Sequence, residues 1–170
     1  LESGKMNYIM VEHDLKQILR TVLNEFVSLK TEKGSNIEIS ENNIDARIIC
    51  DEFKIGQVIQ NILSNAIKFT PTDKKIYISI LQSELPFGEE QNGHKRVPKL
   101  LVKISDQGIG IPFDELDSVF DKFIQSSKTK TGAGGTGLGL AICKEIIEAH
   151  HGRIWAENNP EGGATFNFLL

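Results

Sequence analysis

Apolar residues at positions 15, 18, 19, 22, 23 and 26 (Leu15, Ile18, Leu19, Val22, Leu23, Phe26) recur at helical spacing, so the pattern predicts an amphipathic helix from Asp14 that Gly34 stops. NIEIS (36–40) and ARIIC (46–50) then read as short strands joined by the turn-forming ENNID. Asp51 is placed to cap a second helix with the apolar stripe Ile55, Val58, Ile59, Ile62, Leu63, Ala66 and Ile67, and Pro71 ends it. KIYISIL and KLLVKIS predict a strand pair, and the polar SELPFGEEQNGHKRVP between them reads as an extended hairpin loop. A glycine-punctuated segment runs to Gly139, a third helix ends near His150, and RIWAEN and ATFNFLL close the chain as strands. Strands adjacent in sequence rather than alternating with helices predict an α+β fold. It is a two-layer α/β sandwich, with one mixed, mostly antiparallel sheet and three main helices on one face.

Composition narrows this only a little. The chain has 170 residues, 39% hydrophobic and 25% charged, which suits one domain with its own core. Its 19 Lys and Arg against 23 Asp and Glu leave a net charge of -4, so no global basic field draws it to nucleic acid or an acidic membrane. Any phosphate site must therefore be local. Cys50 and Cys143 stand far apart in unlike contexts and suggest neither a zinc site nor a disulfide, in keeping with a reducing cytosol. The longest apolar runs fall well short of a membrane span, and no basic-then-apolar leader opens the chain.

Candidate chemistry begins on the second helix. Gln57, Asn61, Asn65 and Lys68 share the face opposite its apolar stripe. Two readings fit: a solvated polar face, or a site in which an amide oxygen ligates a hard cation while the lysine neutralises phosphate. Two asparagines where Glu or Lys would favour the helix more lend weight to the site. In VKISDQGIGIP, Asp106 follows a buried-looking strand. An ionised carboxylate there is a pure acceptor suited to the exocyclic amino group of a purine, although a DxGxG stretch is also a plain turn. GGTGLGL then leads into a helix N-terminus, which presents unpaired N–H groups to phosphate. It is not a P-loop, since no lysine follows the glycines. It is not the dinucleotide fingerprint either, since GLGLAI lacks the last glycine and no strand precedes it.

NILSNAIKFT, DQGIGIP, VFDKFIQ, GGTGLGL and GGATF, in that order, resemble the N, G1, F, G2 and G3 boxes of the catalytic, ATP-binding domain of sensor histidine kinases in the GHKL superfamily. The resemblance covers residues 14–170, and LESGKMNYIMVEH (1–13) is similar to the end of the dimerisation helix and linker that precede such a domain. It implies ATP and Mg²⁺ as cofactors and a flexible lid over the nucleotide. Asn65 would ligate Mg²⁺, Asn61 and Lys68 would face the phosphates, and Asp106 would hold the adenine amino group, with Gly108, Gly110 and Ile111 completing its box. Thr165 would support the adenine through a neighbouring hydrogen bond. Phe120 and Phe123 would anchor the lid, Gly135, Gly137 and Gly139 would form its phosphate-side hinge, and Thr136, Leu138 and Leu140 would line the nucleotide beside them. Packing alone also accounts for the two phenylalanines.

Two departures from the family pattern stand out: HHG replaces HGG, putting His151 at a glycine position that Gly152 covers, and the loop after Gln82 is long. EHDLK around His13 lacks the proline of a phosphoacceptor box, and too little chain separates it from the asparagine stripe to complete a helical hairpin. His94, His150 and His151 read as loop or helix-end residues.

The implied function is presentation of MgATP to a histidine on a separate dimerisation and phosphoacceptor domain, with a response regulator downstream. The fragment would be cytoplasmic, without nucleic acid or direct membrane contact, while the full-length kinase is free to be membrane-anchored. Two alternatives remain open: a GHKL ATPase, whose water-activating Glu would stand where Asn61 does, and a nucleotide-sensing module without transfer activity.

Overall fold

The computed structural model describes residues 7–29, 36–40, 42–83, 99–124, 127 and 137–170. Seven strands and three helices are found among them: β1 (Val11–Asp14), α1 (Leu15–Leu29), β2 (Asn36–Ser40), β3 (Arg47–Cys50), α2 (Glu52–Phe69), β4 (Lys75–Ser83), β5 (Lys99–Asp106), α3 (Gly139–Ala149), β6 (Arg153–Asn158) and β7 (Ala164–Leu169). Two short 3-10 turns, Phe113–Glu115 and Ser118–Phe120, sit in the glycine-punctuated segment.

Five strands form one sheet in the order β2-β4-β5-β7-β6, and only the β2–β4 pair is parallel. Strand alternation turns Ile76, Ile78 and Ile80 of β4, and Leu100, Val102 and Ile104 of β5, into a buried apolar face. The helices cover it. Central among them is α2, whose Ile55, Val58, Ile59, Ile62 and Leu63 are all completely buried. Each such side chain contributes about 1.5–3 kcal/mol on leaving water. Asp51 caps α2 as expected, accepting a hydrogen bond from the Lys54 amide at 3.1 Å, and Thr70 ends it just before Pro71. The expected strand pair is β4 and β5, in antiparallel register from Ile76–Asp106 to Ser83–Lys99; most of the polar loop between them, 84–98, lies outside the described residues.

One element differs from the sequence reading. Val11–His13, assigned to a linker, form with Asp14 the strand β1, which pairs antiparallel with β3 as a separate two-stranded ribbon. The strands β2 and β3, joined by a turn-like stretch, therefore part company: β2 joins the main sheet and β3 pairs with β1. β1 escapes a pattern search because three of its four residues are Glu, His and Asp.

Candidate functional site

The site is assembled where the C-terminal end of β5, the polar face of α2 and the N-terminus of α3 come together. Asp106 ends β5 at 5% exposure, and its Oδ1 accepts from the amides of Gly108 (2.8 Å) and Ala164 (3.2 Å). Both bonds fall on one oxygen. Among the described residues Oδ2 has no donor. Burial pushes the carboxyl above the ordinary carboxylate range, and those two amides pull against it.

The loop after Asp106 is held in place by backbone fit and two asparagines. A Cβ on Gly108 would lie 2.5 Å from the Phe69 carbonyl oxygen and 2.9 Å from Asp106 Oδ1, so only glycine fits between the end of α2 and the carboxylate. Asn158, at the end of β6, clasps Ile111 on both sides, accepting from its amide at 2.8 Å and donating to its carbonyl at 2.6 Å. Asn159 donates to the Asp106 carbonyl at 2.8 Å and to the Ser105 hydroxyl at 3.0 Å, and accepts from the Thr165 hydroxyl at 2.6 Å. Gly163, at φ 90°, allows β7 to start directly against the Asp106 carbonyl, where any side chain would collide.

On α2, Gln57, Asn61 and Asn65 are half-buried and Lys68 is exposed, its Nζ 5.1 Å from the Phe69 ring centroid. Asn61 Nδ2 donates to the Gly139 carbonyl at the start of α3 (3.3 Å). Its amide also hydrogen-bonds toward Cys143, one turn further on, whose thiol is pushed up to about 12 by burial, with Asn61 opposing. Asn61 is thus tied through its nitrogen to the first turn of α3. No described residue takes up the amide of Asn65. The residue preceding α3, Leu138, makes no side-chain cap, and no described residue is seen to take up the first N–H groups of the helix, beside Asn61.

A hydrogen bond from the Phe123 amide to the Gly137 carbonyl at 3.1 Å joins the two ends of the glycine-punctuated segment, and both residues have left-handed backbone, φ 65° and 70°. Phe120 is buried and meets Phe166 edge-on, centroids 6.1 Å apart.

Residues 50–170 match the family described as "Histidine kinase-, DNA gyrase B-, and HSP90-like ATPase". The chain belongs to this ATPase family. It is 36% identical over 157 residues to the sensor protein kinase WalK of a Staphylococcus epidermidis strain, covering 92% of this chain but only 23% of that protein. The chain thus spans about a quarter of the length of that relative. Among solved structures it is similar to the catalytic domain of histidine kinase ThkA, with a TM-score of 0.75, 30% identity, and 97% of this chain and 95% of that one covered. It is equally similar in fold (TM-score 0.75, 27% identity) to ThkA in a complex with the response regulator protein TrrA, covering 99% of this chain and 43% of that one.

Of the expected site residues, Asn61, Asn65 and Lys68 lie on α2, Asp106 ends β5 with Gly108 and Gly110 just after it, and Gly137, Leu138, Gly139 and Leu140 lead into the start of α3. Ile111 takes part through its clasped backbone while its side chain is in the core. Gly135 and Thr136 lie outside the described residues.

Two expected residues have placements of their own. Thr165 pairs with Ser105, so its side chain is on the sheet face opposite Asp106, where its hydroxyl hydrogen-bonds with Ser105 Oγ at 2.9 Å and donates to Asn159, which in turn holds the Asp106 carbonyl. Phe123 is 73% exposed, and among the described residues its hydrogen bond is that of its backbone amide to the Gly137 carbonyl. His151 also differs from expectation, taking φ 56° itself, while Gly152 is required separately by its close approach to the Leu169 carbonyl. The sequence reading passed over Asn158 and Asn159, whose only signal was that Asn favours turns.

Proposed function

We propose that this chain is the ATP-binding catalytic domain of a cytoplasmic sensor histidine kinase module, presenting MgATP to a histidine on a separate dimerisation helix whose phosphate passes to a response regulator. The carrying observation is Asn61: at the position where hydrolytic relatives of the fold would need a base stands an amide, its nitrogen bound to Gly139, and an amide takes no proton from water. Asp106 Oδ2 would receive the adenine amino group, and the first N–H groups of α3 together with Lys68 would neutralise the phosphates. The donor set suits Mg²⁺. Asn65 offers one uncommitted amide oxygen, and among the described residues no group of three or more His, Cys, Asp or Glu competes for the ion, so its other ligands would come from the nucleotide and water. When bound, the ion would supply charge neutralisation on the transferred phosphoryl group.

No helix among the described residues is long and apolar enough to cross a membrane. The test is incubation with labelled ATP and Mg²⁺, alone and with the dimerisation domain of the full-length protein. Acid-labile phosphate on the added domain, with little free phosphate, supports the kinase. Rapid phosphate release without labelling would make it an ATPase, and tight binding with neither outcome would make it a nucleotide sensor.

A further inference from the structure

The far end of the α2–α3 pair carries a second polar junction that the nucleotide reading does not use. There the Asp51 amide donates to His150 Nε2 at 3.0 Å, while His150 Nδ1 lies 2.7 Å from the Ile146 carbonyl. Those partners set the roles of the two ring nitrogens: Nε2 accepts from the Asp51 amide, and Nδ1 donates to the Ile146 carbonyl. The start of α2 is thereby pinned to the end of α3, as Asn61 pins the middle of α2 to the start of α3 through Gly139. At 1.5 Å per residue the two pins are about 15 Å apart along the helices.

The incoming chain is docked on the distal pin. Asp51 divides its carboxylate, Oδ1 capping α2 through the Lys54 amide and Oδ2 accepting from the Ile9 amide at 2.9 Å. Tyr8 sets the edge of its ring against His150, centroids 5.4 Å apart at 87°. Though burial pushes the Asp51 carboxyl up, hydrogen bonds from the Ile9, Lys54 and Phe53 amides hold it below the ordinary range, so the junction is built around a carboxylate. Two residues, Asp51 and His150, thus join three pieces of chain: the segment that enters the domain, the helix carrying Asn61, Asn65 and Lys68, and the helix whose N-terminus completes the phosphate side.

We propose that His150 is a positioning residue for the nucleotide site, linking the chain that enters at Tyr8 and Ile9 to the separation of α2 and α3. Displacing Tyr8 frees the His150 ring to turn, the Asp51 amide loses its acceptor, and the helix pair is left with one pin, at Asn61 and Gly139. This is regulation of the site proposed above and rests on that reading only in its effect on MgATP.

Amide hydrogen exchange without nucleotide, in the whole chain and in Tyr8→Ala, His150→Ala and His150→Gln, tests the link, with MgATP titration by calorimetry alongside. Gln restores an acceptor near the place of Nε2. The two alanine variants are expected to speed exchange of the Ile9 amide and, across the helix pair, of the Ile142 amide that bonds to Leu138 in the first turn of α3. They should also weaken MgATP about fivefold or more, the lower end for coupled sites, while His150→Gln stays near the parent. Faster exchange confined to Ile9, with Ile142 and MgATP affinity unchanged, would overturn the link. So would uniform acceleration across α1, β4 and α3, which reports lost global stability. If MgATP binds none of the four proteins the nucleotide reading fails, and the comparison of Ile9 with Ile142 still decides the coupling.

Discussion

Exchanging one oxygen of Asp106 separates recognition from folding. In Asp106→Asn the amide oxygen can stay on the Gly108 and Ala164 amides, now 2.8 and 3.2 Å from Oδ1, while an NH₂ takes the place of Oδ2. A donor then faces the amino group of adenine. The loss of one charge-assisted hydrogen bond is worth about 1.5–3 kcal/mol. That corresponds to roughly ten- to a hundredfold weaker ATP binding by calorimetry. Folding should not suffer, because both backbone donors keep their acceptor and a buried charge is removed.

The pH dependence has a defined sign. Burial raises the Asp106 carboxyl in the folded protein, so the stability it contributes is fully present below the ordinary carboxylate pKa and is lost as pH rises through the raised value. In chemical denaturation the Asn variant should therefore match or exceed the parent at neutral pH and lose that advantage on acidification. Asp106→Ala is the contrast, since it strands two buried amides at about 1–3 kcal/mol each and should melt earlier. Unchanged ATP affinity in a folded Asp106→Asn protein would refute the assignment of Oδ2 to the adenine.

Asn65→Ala should remove Mg²⁺-dependent phosphoryl transfer while circular dichroism shows the same melting, since its amide has no partner among the described residues; full transfer activity would end its role as a ligand. His151→Gly should stabilise the protein by roughly 0.5–1 kcal/mol in urea, because the left-handed backbone at φ 56° costs a side chain more than glycine costs in chain entropy. Gly163→Ala should destabilise by more than about 2 kcal/mol and weaken ATP binding together, as its Cβ meets the Asp106 carbonyl at a backbone φ of 90°; a variant with parental urea midpoint would show that the turn relaxes.

The helices were legible because burial in this fold follows simple stripes: the apolar positions expected on α2, from Ile55 to Ala66, are its buried residues. The alternation of β4 and β5 was legible for the same reason. What a pattern does not contain is pairing. Nothing in NIEIS or RIIC says that one joins a five-stranded sheet while the other pairs with the polar VEHD, since partner choice is settled by distant chain. Face assignment at the end of a strand has the same weakness. Thr165 and Ala164 are neighbours in the third glycine box, and a step of one residue decides whether a side chain faces Asp106 or the opposite side of the sheet.

The glycines give the most instructive difference, because sequence reasoning explained them by access for a ligand and the structure explains the tightest of them by access for protein. Gly108 makes room for the carbonyl that ends α2, and Gly163 makes room for the carbonyl of Asp106 itself. Both shape the carboxylate's surroundings from behind, bringing the Gly108 and Ala164 amides onto a single oxygen and so leaving the other one without a donor among the described residues. On this account the box glycines orient Asp106 by close packing, and the Asn158 and Asn159 side chains lock that packing from the β6 end. Enlarging either glycine should therefore disturb folding and adenine recognition together, whereas Asp106→Asn disturbs recognition alone. That contrast distinguishes a glycine that serves the protein backbone from one that only makes space for the nucleotide.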